Sequence, residues 1–236
     1  DWPNRFFNCG FIIDPTGEVI LIHYKVSPLF PVEHSLCPHD IYDWWIDKYG
    51  NNLDAFWPVV ETDIGRLGIM MANEGSYPEN ARALALKPKI ILADEPVSML
   101  DVSIRAEMLE LMKELQKKYN ISFLYITHDL ATAKYFGQRI GILYLGKIVE
   151  IGQIDEVLDN PKHPYTQALI DAISEPDPEN LKKERMIRIK ETTVIENLDG
   201  CKFKNRCPYA IEKCNIEPKL EKIANEHYTA CYIELD

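Results

Sequence analysis

The run Ile90-Ile91-Leu92-Ala93 constrains this 236-residue chain most, because four consecutive apolar residues stop on Asp94, Glu95 and Pro96. A strand apolar on both faces must be covered on both faces, which is a property of parallel sheets. The residues that follow fit that requirement. Ser103–Tyr119 repeats apolar residues at helix spacing, with Ile104, Met108, Leu111 and Leu115 on one stripe, and Ser122–Thr127 reads as a second buried strand. Asp129–Phe136 is the next helix, and Gly141–Glu150 gives two short strands around a turn at Gly146. Upstream, Ala81–Leu86 is a helix end stopped by Pro88. Strand, helix, strand, helix in this rhythm predicts parallel pairing through crossover helices, an α/β layout.

The first 80 residues have another texture. They carry a net charge of −8 against −3 for the remaining 156, and they hold 13 of the 24 aromatic residues, including all four tryptophans. Such asymmetry predicts two segments of different origin. Phe11 to Ile22 is two apolar runs joined by Asp14-Pro15-Thr16-Gly17, a hairpin signature. The proline-bearing stretch 28–40 predicts irregular chain. Ile41–Tyr49 reads as a helix, and Phe56–Val60 and Gly68–Met71 as strands separated by a turn at Asp63-Ile64-Gly65.

Composition excludes several classes. With 46% hydrophobic and 27% charged residues the chain can bury a core, so neither disorder nor a disulfide-stapled scaffold is expected. The longest apolar stretches are strand-length, which predicts no membrane-spanning segment, and no signal peptide is visible at residue 1. A net charge of −11 argues against a nucleic-acid partner.

Ligands of open parallel sheets sit beyond the carboxyl ends of the strands, where Asp94 and Glu95 would project. One carboxylate there can hold Mg²⁺ and its neighbour can orient or deprotonate a water; the same pair can equally be a solvated corner. Ser98-Met99-Leu100-Asp101 follows closely, and His128 falls at the matching end of the next strand. Together with Ala81-Arg82-Ala83-Leu84-Ala85 and Ile126-Thr127-His128-Asp129, these residues resemble an ABC-transporter ATPase domain. Asn160-Pro161-Lys162-His163-Pro164-Tyr165-Thr166 resembles its oligopeptide/dipeptide importer branch. The resemblance implies Mg-ATP as ligand, Asp94 as the magnesium carboxylate, Glu95 as general base and His128 as the γ-phosphate contact. It further implies that Ser98 and Asp101 lie at the nucleotide, Asp101 facing a second ATPase subunit. Transmembrane permease subunits would be partners, and the location cytoplasmic, peripheral on the inner face of the plasma membrane. No G-x-x-x-x-G-K-[ST] occurs in the chain, and the glutamine and signature loops that precede Ala81 in this family are missing too. The expectation is the incomplete back half of an ATPase domain, unable to turn over ATP.

Residues 1–80 resemble the middle of a nitrilase-superfamily aliphatic amidase, through Asn8–Lys25, Pro28–Glu33 and Gly68–Glu79. That resemblance implies Lys25 as the residue stabilising a tetrahedral intermediate and Glu33 as its supporting carboxylate. The nucleophile motif Cys-x-[DE]-x-x-x-P-E reads Ala72-Asn73-Glu74-Gly75-Ser76-Tyr77-Pro78-Glu79, with alanine in place of the thiol. Without a thiolate no acyl-enzyme forms, so Lys25 and Glu33 can equally be an ordinary surface ion pair. The two resemblances meet at residues 78–85, as in a chimera. Both parent cores are then expected to be cut open, leaving strand edges unpaired.

The tail carries Cys201, Cys207, Cys214 and Cys231 within 31 residues, after a polar linker at 174–185. Their spacing is not the paired C-x₂-C of most zinc sites. Four thiols, one followed by Pro208, suit a [4Fe–4S] cluster, and some ATPases of the importer branch resemble this arrangement; four unligated cysteines is the alternative. Lys202, Lys204, Arg206 and Lys213 are expected to lower the thiol pKa values. Cys9 and Cys37 read as small buried hydrophobes. The expected organisation is an amidase-like fragment at 1–80, the back of an ATPase domain at 81–173, and a linker with a Cys-rich region at 174–236. Energy coupling to peptide import, amide hydrolysis, and a non-catalytic remnant that binds partners are the three functional expectations.

Overall fold

The buried run at residue 90 becomes the central one of three parallel strands. In the computed structural model, which describes residues 6–28, 33–86, 88–172, 189 and 199–233, the chain divides into two compact units, Asp1–Asp129 and Leu130–Asp236. The first opens with an antiparallel hairpin of β1 (Cys9–Ile13) and β2 (Val19–Tyr24). Its turn is closed by Asp14, whose Oδ1 accepts hydrogen bonds from the amides of Thr16 and Glu18. Among its described residues, the stretch expected to be irregular holds a 3₁₀ turn, Pro38–Ile41, because a proline at the start of a turn gives up no hydrogen bond there. Helices α1 (Tyr42–Tyr49) and α2 (Leu53–Phe56) follow. Phe56 thus ends a helix rather than starting a strand: Asn52 caps α2, its side chain accepting from the amides of Asp54 and Ala55. The aromatic excess of the front segment packs here, with Trp45 and Phe56 buried beside Val26 and Ile41, and Tyr24 set edge-on to Trp45.

The main sheet of this unit has the order β3-β4-β5-β6. β3 (Val59–Thr62) and β4 (Gly65–Met71) are an antiparallel hairpin, tightened by the Thr62 hydroxyl donating to the Gly65 carbonyl. From β4 the chain crosses through α3 (Pro78–Ala85) to β5 (Ile90–Asp94), then through α4 (Val102–Tyr119) to β6 (Ser122–Ile126), and both strand pairs are parallel. The join between the two resemblances therefore lies inside α3, and the sheet runs straight across it. Leu67 to Met71 pair residue by residue with Ile90 to Asp94, so β4 is not left with the open edge expected of a cut core. Met70, Ile91 and Met112 are completely buried, drawn from both sides of the join. Gly75 shows how closely the two segments approach, since a Cβ there would lie 2.2 Å from the Pro96 carbonyl oxygen. α4 buries Met108, Leu109, Met112 and Leu115, whereas Ile104 stays exposed; the core-facing stripe is rotated toward Leu109 and Met112 from the one expected. Cys37 is buried but Cys9 is exposed, because it occupies an outward position of β1.

The second unit contains α5 (Leu130–Phe136), the hairpin β7 (Arg139–Tyr144) and β8 (Lys147–Gln153), α6 (Ile154–Asp159) and α7 (Pro164–Asp171). The tail returns as β9 (Glu221–Ala224) and β10 (His227–Thr229), giving a four-stranded sheet of order β7-β8-β10-β9. Ile142, Val149 and Val157 form its core, with Tyr144, Tyr165 and Leu169 packed against it. Phe203 is buried edge-on to Tyr144, their centroids 5.2 Å apart. The linker expected at 174–185 lies outside the described residues. Among the described residues no helix is long and apolar enough to cross a membrane.

Candidate functional site

Met71, Asp94 and Ile126 stand opposite one another at the carboxyl edge of β4, β5 and β6, so the residues just beyond them share that edge. Glu95 turns out of β5 with φ of 44°, a left-handed conformation that a glutamate adopts only under constraint. Its amide donates to the Ile126 carbonyl, and the Ser98 hydroxyl donates to the Glu95 carbonyl. With the backbone held, Glu95 Oε1 lies 2.8 Å from His128 Nδ1. Asp94 is exposed at the strand end. Asp101 caps α4, its carboxylate accepting from the Ile104 amide, and Arg105 spans Asp129 and the Leu100 carbonyl. Of the residues expected at a nucleotide, the structure thus joins Glu95 to His128 directly and sets Ser98 and Asp101 as braces of the intervening loop. A carboxylate beside an imidazole on an open edge can take a proton from water and pass or hold it. Being exposed to solvent, the pair contributes little to stability.

Magnesium has one or two carboxylates available here, Asp94 and Glu95. That is the usual protein share for an ion that takes its remaining ligands from water and substrate phosphates. Among the described residues no group of three or more His, Cys, Asp or Glu is placed to hold a metal ion by itself.

Across the same unit, Lys25 Nζ is 2.6 Å from Glu33 Oε2, and Asn8 donates to the other oxygen of Glu33. Lys25 is only 4% exposed and Glu33 is half-buried, so this is not an ordinary surface pair. Ala72, at the expected nucleophile position, sits at the end of β4 with φ of 38°. The turn is strained, and the side chain it presents is a methyl group. Its anchor is Glu74, buried to 1%, which accepts from the amides of Val26 and Met71 and meets His23 Nε2 at 2.8 Å. Asn80 ties the same turn to Ser27 Oγ and to the Glu74 carbonyl. His23 and Asn80 carry no signal in a single sequence, whereas Glu74 stands at the acidic position of the motif.

In the second unit, Cys201, Cys207, Cys214 and Cys231 line one small cavity together with His163 and Phe203. The amide of Cys201 donates to the Cys214 carbonyl, which brings the two thiol-bearing turns together. At Cys201 the expected lowering by a basic neighbour, Lys204, is outweighed by burial. Burial pushes Cys201 up, and burial with the charges of the other three thiols pushes Cys231 up to about 11. The donor chemistry fits a thiolate-ligated cluster, although the thiols are not preassembled around a single ion. Beside this cavity, Glu150 is fully buried and accepts from the amides of Lys162 and His163 and from His227 Nε2 at 2.7 Å. It holds the Asn160–Thr166 segment against the returning tail. His163 in turn accepts from the Tyr165 amide at Nδ1, and burial lowers its pKa to about 4.

Comparison with known proteins finds two families along the chain, the N-terminal match running past the join at 80/81. Residues 149–214 match the oligopeptide/dipeptide transporter C-terminal region, and residues 2–117 match the carbon-nitrogen hydrolase family. The oligopeptide transport ATP-binding protein AppF of Bacillus subtilis is 39% identical over 188 residues, which cover 74% of this chain and 57% of the relative. A peptide import ATP-binding protein of Brucella ovis is 42% identical over 152 residues, covering 64% of this chain and 48% of the relative. A peptide ABC transporter ATP-binding protein of Sinorhizobium fredii is 42% identical over 154 residues, covering 65% and 44%. The chain spans about half the length of the curated relatives it matches.

Proposed function

We propose that residues 81–236 are the back half of a peptide-importer ATP-binding subunit carried behind an amidase-like front, and that this chain does not turn over ATP. The observation that carries the reading is the 2.8 Å contact between Glu95 and His128 at the ends of adjacent parallel strands. Glu95 would accept the proton of the attacking water, and His128 would hold the terminal phosphate oxygen and keep Glu95 oriented. Asp94 would face the magnesium that accompanies the nucleotide. Nothing in the sequence supplies the glycine-rich cradle and lysine that bind the β- and γ-phosphates in this family, so the acid-base pair has no substrate held against it. The permease subunits and second ATPase subunit, and a place on the inner face of the plasma membrane, follow from the same reading. Titration calorimetry with Mg-ATP is expected to show no saturable binding below about millimolar; a micromolar, magnesium-dependent site, worth about 8 kcal/mol, would overturn the proposal.

An amidase or its catalytically dead relative is the second reading, supported by the Lys25–Glu33 ion pair and the strained turn at Ala72. A methyl group cannot attack a carbonyl, so the front segment is a catalytically silent relative of its family. Short aliphatic amides incubated with the protein are expected to release no ammonia above a Lys25→Ala control.

The four tail thiols are, on our reading, the ligands of a [4Fe–4S] cluster. Their convergence on one cavity supports it, since such a cluster takes four thiolates. Anaerobic purification should give brown protein with about four irons per chain, and Cys207→Ser should lose the colour while Cys37→Ser keeps it. Colourless protein with four titratable thiols would remove the cluster.

A further inference from the structure

The cysteine cavity of the Leu130–Asp236 unit has one more polar member, to which the cluster gives no role. His163 lines it beside Cys201, Cys207, Cys214 and Cys231, and is 1% exposed. The residue is held at two points. Its amide donates to Glu150 Oε2 at 3.0 Å, and its ring nitrogen Nδ1 accepts from the Tyr165 amide at 3.0 Å. A ring nitrogen that accepts carries no proton, which assigns the proton of the neutral imidazole to Nε2. The ring also packs against Phe203, their centroids 5.9 Å apart, and the Phe203 carbonyl accepts from the Cys207 amide. Among the described residues nothing accepts the Nε2 proton. Buried N–H groups of folded proteins are nearly always paired, so this one calls for an acceptor. The other side-chain donors of the lining are engaged elsewhere, Lys204 Nζ with Asn215 Oδ1 and the Tyr232 hydroxyl with the Glu217 carbonyl. Besides that hydroxyl, the side-chain acceptors of the lining are the four sulfurs. A thiol sulfur accepts weakly, whereas a thiolate accepts a charge-assisted bond. The imidazole therefore gains its partner when the cysteines are ligated.

We propose that His163 is the hydrogen-bond donor of the thiol site, its Nε2–H directed to a cysteine sulfur once the four thiols have become thiolates, and that it raises the reduction potential of the bound group. The proposal rests on the [4Fe–4S] reading of the four cysteines. Hydrogen bonds to the sulfurs are among the determinants of a cluster's potential. An added electron makes the sulfurs more negative, so a donor stabilises the reduced state more than the oxidised one. A histidine that only capped α7 would leave the potential where it was.

The test uses the full chain, purified anaerobically from cells fed isotope-labelled histidine and reduced with dithionite. Pulsed EPR of the reduced protein is expected to show weak coupling to one labelled nitrogen and to one exchangeable proton. Both should vanish in His163→Ser, whose hydroxyl still caps α7. Redox titration of His163→Ser, and of His163→Phe, which keeps a ring without the N–H, should give a midpoint lower by about 59 mV, a tenfold change in a one-electron equilibrium. Brown protein of full iron content that shows no such coupling, or variants with an unchanged midpoint, would overturn the proposal and leave the cluster standing. Colourless, iron-free protein would overturn both. Because the coupling is read on the unaltered chain, it decides the question even where a variant loses its iron.

Discussion

Two buried glutamates do the same work in the two units. Glu74 and Glu150 each accept two backbone amides and face a buried histidine, His23 or His227. A carboxylate can accept on all sides, whereas an amide must turn an NH₂ toward one of the donors. Glu150→Gln is therefore expected to lower stability by about 2–4 kcal/mol, read as an earlier urea midpoint, with Glu150→Asp also destabilising because it falls short of the amides. Ala72 offers the opposite test. At φ of 38° its Cβ is a burden, and Ala72→Gly should stabilise by about 0.5–1 kcal/mol, whereas Ala72→Val should cost more than that. His163 sets a pH dependence. Burial lowers its pKa from 6.5 to about 4, so below pH 6.5 the unfolded chain takes up a proton that the folded ring refuses. Stability is complete above 6.5 and falls as the pH drops toward 4, by on the order of 3 kcal/mol. His163→Asn keeps an acceptor for the Tyr165 amide and should flatten the loss between about pH 7 and pH 5 in denaturant titrations. At this scale the sequence shows what ionises but not what is buried. Glu95 and His128 are legible because they terminate apolar runs, while His23, Asn80 and His227 acquire their roles from partners 51, 53 and 77 residues away.

Elements whose signals are local were legible to within a residue or two. β5 announces itself by an apolar run and α4 by apolar residues at helix spacing; α4 begins where Asp101 accepts from the Ile104 amide and ends where Asn120 turns left-handed. Asp101 has thus a structural role beside any contact with nucleotide. Asp101→Ala should cost about 1 kcal/mol of stability and Asp101→Ser much less, since the serine hydroxyl can also cap; thermal melts of the two variants separate capping from charge. The α4 face is rotated from the one expected: Met112 and Leu109 are buried with Met108 and Leu115, whereas Ile104 is exposed. Apolar residues surround much of this helix, and only the partner surface decides between neighbouring stripes. β9 and β10 were not legible. Three or four residues of mixed polarity become strands only because β8 lies beside β10, with Tyr228 opposite Ile151 and Thr229 opposite Glu150, and β10 in turn lies beside β9.

The break in sequence texture at residues 80 and 81 does not coincide with the break in packing after Asp129. Origin is written in composition, whereas a folded unit is defined by what its strands need beside them. β4 comes from the amidase-like segment, yet its parallel partner is β5, and the completely buried Met70 shares the interior with Ile91 and Met112 from beyond the join. Cutting at 80/81 would sever α3 and expose the β4 edge along Leu67–Met71, together with the buried Leu67, Ile69 and Met70. Cutting after Asp129 leaves the order β3-β4-β5-β6 whole. Fragment 1–129 is accordingly expected to stay dispersed on size exclusion and to melt in one cooperative step, because its sheet keeps every strand pairing it has in the full chain. Fragment 1–80 should aggregate or melt without a transition, since an unpaired edge beside an uncovered apolar face recruits other chains. A cooperative melt from 1–80 alone would mean that the amidase-like segment carries its own core and that its pairing with β5 is incidental. The opposite pattern would mean that the two segments, whatever their separate ancestry, have become one folding unit through the register of a single pair of strands.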